Sequence, residues 1–160
     1  MIIFLNGSIN AGKSTVAKLL AKELPNTALL EIDSLREMID WMPIDQSVPL
    51  NLENAVSVIR NFAARNLNVI VPYPLSQKNY DYVMGKLKDL DTEIHTFTLA
   101  PRIEKTLTNR GSRELSGKEK ERIKHHYDIG IHNPNFGEII DNSEQTPEET
   151  AKYVLDKINK

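Results

Sequence analysis

The ten residues NGSINAGKST, Asn6 to Thr15, constrain this chain more than any other stretch. Read from Gly7 they satisfy G-x-x-x-x-G-K-[ST], with Gly12, Lys13 and Ser14 closing the pattern. This is the spacing of a phosphate loop, in which glycines let successive backbone N–H groups turn inward on a polyphosphate. Such a loop works only between a strand and a helix, so its flanks test it. Upstream, MIIFL is a short apolar run suited to a buried parallel strand. Downstream, KSTVAKLLAKEL sets Val16, Leu19, Leu20 and Leu24 at helical spacing before Pro25 stops the helix. Both flanks fit, and a helix N-terminus there adds its dipole to the same anion site. Gly7, Ser8, Ile9, Asn10, Ala11, Gly12, Lys13, Ser14 and Thr15 are therefore the expected nucleotide contacts. Lys13 is expected on the β- and γ-phosphates, and the Ser14 hydroxyl on Mg²⁺. A dinucleotide fingerprint does not fit, because G-x-G-x-x-G needs a central glycine where this loop has Ile9 and Asn10.

The remaining chain supplies the sheet such a loop requires. TALLEI before Asp33, LNVIV ending at Val71, EIHTFTL ending at Leu99 and GEII ending at Ile140 are further strand-like runs, each separated from the next by helical sequence. Five strands alternating with helices predict a parallel α/β sheet. Helices are expected at about 13–24, 34–42, 52–66, 77–90, 102–110, 116–130 and 147–159. The two-proline stretch MPIDQSVPLN is expected to be a loop. At 160 residues one domain is expected. The net charge of −2 argues against a dedicated nucleic-acid binder. The absence of cysteine excludes disulfides and thiol catalysis. No apolar run approaches the roughly 20 residues of a membrane span, and no basic leader opens the chain, so a cytoplasmic protein with no membrane partner is expected.

In an open α/β sheet, ligands sit beyond the carboxyl ends of the strands. Asp33 stands there in LLEIDSLR, twenty positions after Lys13. It can accept the proton of an attacking hydroxyl and offer Mg²⁺ a carboxylate, or it can cap the helix that follows. Together LNGSINAGKST, EIDSLREMI and a later arginine-bearing segment resemble the small P-loop kinases of the shikimate kinase, gluconate kinase and chloramphenicol phosphotransferase group. The loop and the DSL after the second strand carry the local likeness to chloramphenicol phosphotransferase. The resemblance implies a three-layer α/β sandwich with a five-stranded parallel sheet in the order 2-3-1-4-5. It also implies a catalytic role for Asp33, an acceptor region between the second and third strands, and a mobile lid at about 110–124.

In the lid segment, Arg110 and Arg113 are expected to stabilise charge on the transferred phosphoryl group, and Arg110 to contact the nucleotide. Lys118 to Lys124 alternate with acids as a solvated helix does, and the adjacent His125 and His126 are expected at the surface. Asn142, Ser143 and Thr146, in DNSEQTP after the last strand, match the position of an adenine-contacting loop in the same group. Arg36, Trp41, Arg60 and Tyr73 are candidate acceptor contacts alongside Asp33. One departure stands out: Pro72, Tyr73 and Pro74 follow the third strand, where many phosphate-loop proteins place an acid that holds the Mg²⁺ shell. The expected activity is transfer of the γ-phosphoryl of ATP, with Mg²⁺, to a hydroxyl of a small molecule. A non-catalytic nucleotide-binding module and a polynucleotide 5′-kinase stay open as alternatives.

Overall fold

The computed structural model describes residues 1–108 and 114–159. Strand β1 (Ile2–Gly7) lies at the centre of a five-stranded sheet. Around it stand β2 (Thr27–Leu29), β3 (Asn68–Pro72), β4 (Ile94–Leu99) and β5 (Glu138–Ile140), all parallel, in the order β2-β3-β1-β4-β5. The order is the one the resemblance implied. Both edge strands have three residues, which leaves little unpaired backbone for another chain to join.

Alternation along β1 divides the core. Ile2 and Phe4 face a cluster with Val69 and Val71, built on α3 (Ile44–Ala63) and α4 (Gln77–Leu87). Ile3 and Leu5 face the opposite cluster, built on α1 (Lys13–Glu23) and α7 (Pro147–Ile158). Parallel strands covered on both faces need such continuous apolar runs. Three further helical elements complete the connections: the short α2 (Ile32–Arg36) and α5 (Ile103–Thr106), and α6 (Gly117–Asp128). Among the described residues no helix is long and apolar enough to cross a membrane.

The stretch expected as a loop is the first half of α3, which runs through Pro49. Proline removes one intrahelical hydrogen bond, the bond its N–H would give to the Asp45 carbonyl. Burial of Leu52, Ala55, Val56 and Ile59 on one face offsets that loss. The helix expected at 34–42 is shorter and earlier, because α2 begins at Ile32, whose buried side chain fixes it to the core. Asp33 therefore sits inside the first turn and caps nothing by its side chain; Glu31 holds the cap position.

Two glycines mark where backbones approach too closely for a side chain. A Cβ at Gly7, with φ of +135°, meets the Leu99 carbonyl oxygen at 2.4 Å. This seats the start of the phosphate loop against the end of β4. At Gly137, with φ of +68°, a Cβ meets the Thr96 carbonyl oxygen at 2.5 Å. Gly137→Ala is expected to cost about 2–4 kcal/mol, from left-handed backbone strain and overpacking together. A urea-unfolding midpoint that does not move shows that the approach of β5 to β4 is not constrained there.

Candidate functional site

A crevice of about 1140 Å³ opens at the carboxyl edge of the sheet. Its volume exceeds the roughly 300–1,000 Å³ of a single-ligand pocket. Ile9, Asn10, Gly12, Lys13, Ser14 and Thr15 line one part; Asp33, Arg36, Trp41 and Tyr73 line another. Glu31, Lys118, Arg122 and His126 also face it.

The phosphate loop is held from beneath by side-chain amides. Asn6, fully buried at the end of β1, donates to Thr98 Oγ1 (3.0 Å) and the Ile131 carbonyl (3.2 Å), and accepts from the Leu75 N–H (2.8 Å). Asn10 has φ of +63° and donates to the carbonyls of Thr106 (2.8 Å) and Thr108 (3.0 Å). Asn142 donates to the Ala11 carbonyl at 3.0 Å. Lys13 Nζ donates to the Ser8 carbonyl at 2.7 Å, so its ammonium lies folded over the loop it serves. Gly7, Ser8 and Ala11 are buried and shape the loop, while the other loop residues form the crevice wall.

Ser14 Oγ donates to Glu31 Oε2 at 3.4 Å. Glu31 was not among the expected site residues, although a carboxylate interrupting the apolar run TALLEI was a visible signal. Asp33 is exposed and lines the crevice two residues further on. Tyr73, 7% exposed, has its hydroxyl pKa raised by burial first and then by the charge of Asp33, against the lowering influence of Arg122 and Arg36. Those charges therefore gather around one phenol. Trp41 is 78% exposed and contributes an aromatic wall at the crevice.

Some expected residues lie elsewhere. Arg60 is in the last turn of α3, at the amino edge of the sheet and far from the crevice, where it makes a paired contact with Asp89 (2.7 Å for both hydrogen bonds) and donates to the Lys86 carbonyl. Helical spacing cannot tell which end of a helix faces the ligand. That guanidinium holds the Asp89 carboxyl down to a pKa of about 2. Asn142, Ser143 and Thr146 are not crevice-lining side chains. Ser143 Oγ accepts from the Arg102 N–H at 2.8 Å and donates to the Asp141 carboxylate. Thr146 caps α7 in a capping box with Glu149. Arg110 and Arg113 fall outside the described residues.

His126 was expected at the surface but is 6% exposed and lines the crevice. It follows Ile123, itself fully buried, by three positions on α6, so the two share the inward face. Its Nδ1 lies 3.4 Å from Ser8 Oγ. Burial, then the charges of Arg122, Lys13 and His125, push its pKa down to about 4. Arg122 and Lys118, expected on a solvated face, also reach the crevice from this helix.

The sequence model described as chloramphenicol phosphotransferase-like protein matches residues 1–159. Searched against curated proteins, the sequence gives no match. Solved structures share the fold. The tunicamycin resistance protein of Deinococcus radiodurans is 21% identical, with a TM-score of 0.64 over 98% of this chain and 94% of that one. A sugar kinase from Janibacter is 14% identical, with a TM-score of 0.73 over 99% and 94%. Shikimate kinase from Aquifex aeolicus is 20% identical, with a TM-score of 0.60 over 99% and 96%. The fold is that of P-loop kinases.

The environment of His126 makes stability pH-dependent with a definite sign. The unfolded imidazole takes a proton near its ordinary pKa of 6.5, while the folded one resists until about 4. Between those values the unfolded state binds more protons, so stability rises with pH and is lost on acidification. The unfolding free energy is expected to fall by about 2–3 kcal/mol from this residue between about pH 7 and pH 4.5. Denaturant titrations at both pH values check it: His126→Asn removes that part of the difference, and an unchanged difference refutes the assignment.

Proposed function

The chain belongs to the chloramphenicol phosphotransferase-like family, and we propose that it transfers the γ-phosphoryl group of ATP to a hydroxyl of a small molecule. The observation that carries this reading is the shared crevice: Lys13 and Ser14 line it together with the exposed carboxylate of Asp33. ATP lies along the phosphate loop, its phosphates on the loop N–H groups and Lys13. The acceptor hydroxyl lies at Asp33, between Arg36 and Tyr73. Ile39, Trp41, Met42 and Pro74 give that half apolar walls, which suits an acceptor with an apolar face.

Ser14 and Glu31 are hard oxygen donors of the kind Mg²⁺ takes, and they lie 3.4 Å apart. They fit a site in which most remaining ligands are waters and phosphate oxygens; among the described residues no group of three or more acids or histidines forms a dedicated cage. Bound there, Mg²⁺ neutralises charge on the phosphate oxygens. Glu31 thus answers the missing acid after β3. Asp33 orients the acceptor and accepts its proton as the bond to phosphorus forms and the bond to the leaving ADP oxygen breaks. Arg110 and Arg113 are assigned to the transferring group from their place in the lid segment.

Transfer from labelled ATP to a panel of alcohols, nucleosides, sugars and aminocyclic antibiotics tests the activity. Asp33→Asn keeps the shape of the side chain but cannot take the proton. It is expected to fold normally, bind ATP within a few-fold of the parent and lose roughly 10²–10⁴ in transfer rate; undiminished transfer removes Asp33 from the mechanism. Lys13→Ala is expected to abolish productive ATP binding while leaving thermal stability near the parent, and calorimetric titration with ATP alongside a melting curve reads both. Unchanged affinity in that variant overturns the nucleotide assignment itself.

A further inference from the structure

Helix α6 and the phosphate loop meet through a buried polar contact. Ser8 and His126 are 1% and 6% exposed, and Ser8 Oγ stands 3.4 Å from His126 Nδ1. The carbonyl of the same serine accepts from Lys13 Nζ at 2.7 Å. A chain of contacts therefore runs from α6 through one loop residue to the lysine expected on the phosphates. The same helix presents Lys118 and Arg122 to the crevice. His126 is neutral because it is buried beside two cations, Arg122 and Lys13. In the tautomer protonated on Nε2, its Nδ1 accepts a hydrogen bond from the Ser8 hydroxyl, which gives that buried hydroxyl a partner.

We propose that His126 is a positioning residue of the phosphate site: by holding Ser8 it sets the loop peptide that orients Lys13, and so couples α6 to the bound nucleotide. The proposal rests on the nucleotide assignment made above and adds a role that the loop motif does not contain. A loop of backbone donors binds phosphate only as well as its peptides are aimed. Ser8 occupies a position where a small rotation moves both its carbonyl and the amine held there. The contact is within reach of α6 at its buried face, so a displacement of α6 that carries Arg122 also loosens the loop. A His126 that merely fills space predicts no such coupling.

Equilibrium binding of ATP to the full chain, with a melting curve for every variant, separates these cases. Ser8→Ala and His126→Phe each remove the contact, the second while keeping ring volume, and each is expected to weaken ATP about three- to tenfold, the range of one hydrogen bond. The double variant is expected to bind no worse than the weaker single one, because both changes remove the same contact. His126→Asn, whose amide oxygen stands close to the place of Nδ1, is expected to restore affinity to within about twofold. Multiplied losses in the double variant overturn the proposal, as does lowered stability with unchanged ATP affinity. Should His126→Phe fail to fold, Ser8→Ala decides alone: parental affinity in that variant overturns the coupling. If the parent chain itself does not bind ATP, the nucleotide assignment has failed, an outcome distinct from all of these.

Discussion

The side-chain amide of Asn6 is the interaction on which the site depends. It is fully buried where β1 ends and the phosphate loop begins, and it bonds in three directions: to Thr98 on β4, to the Ile131 carbonyl after α6, and to the Leu75 N–H after β3. The three partners come from three different parts of the chain: a neighbouring strand, the turn after α6 and the loop after β3. A buried amide with its acceptor and a donor engaged is rigid, and removing it strands groups that cost about 1–3 kcal/mol each when left unpaired. The loop is thus built on a polar clasp at the end of an otherwise apolar strand. Gly7, packed on the Leu99 carbonyl, closes the same junction from the next position.

Further amides and carbonyls extend this fixing outward. Asn10 and Asn142 tie the loop to the segments after β4 and β5, and Ser8 meets His126 from α6. The loop is therefore secured on several sides before any phosphate arrives, which lowers the ordering cost of binding. The electrostatics divide along the same lines. Lys13, Lys118 and Arg122 bring positive charge to the crevice, while Glu31 and Asp33 supply oxygen anions beside Ser14 and Tyr73. A neutral, buried His126 adds no further cation beside Lys13 and Arg122.

Much of this was legible in the sequence where the controlling physics is local. The phosphate loop is contiguous, its glycines and lysine are fixed by backbone geometry, and the strand and helix around it follow from short apolar patterns. The five strands were legible for the same reason. Where long-range packing competes with local preference, the reading failed: Pro49 argued for a loop, yet the buried face of α3 carries the helix through it. Arg60 failed differently, because its helix was foreseen but not which end of it approaches the ligand.

The sequence alone determined that this chain forms a parallel α/β sheet with a phosphate loop after its first strand and a carboxylate, Asp33, after its second. These depend on residue types at fixed short spacings. Only the tertiary structure decided which side chains from distant segments share the crevice. Glu31 meets Ser14 across seventeen positions, and His126 meets Ser8 across one hundred and eighteen. It also engaged the Thr146 side chain in a helix cap and set Arg60 in an ion pair with Asp89 at the other edge of the sheet. The reason is physical: spacing along a strand or helix fixes a residue's face, whereas its neighbours across the fold depend on how the layers stack, and no local pattern encodes that.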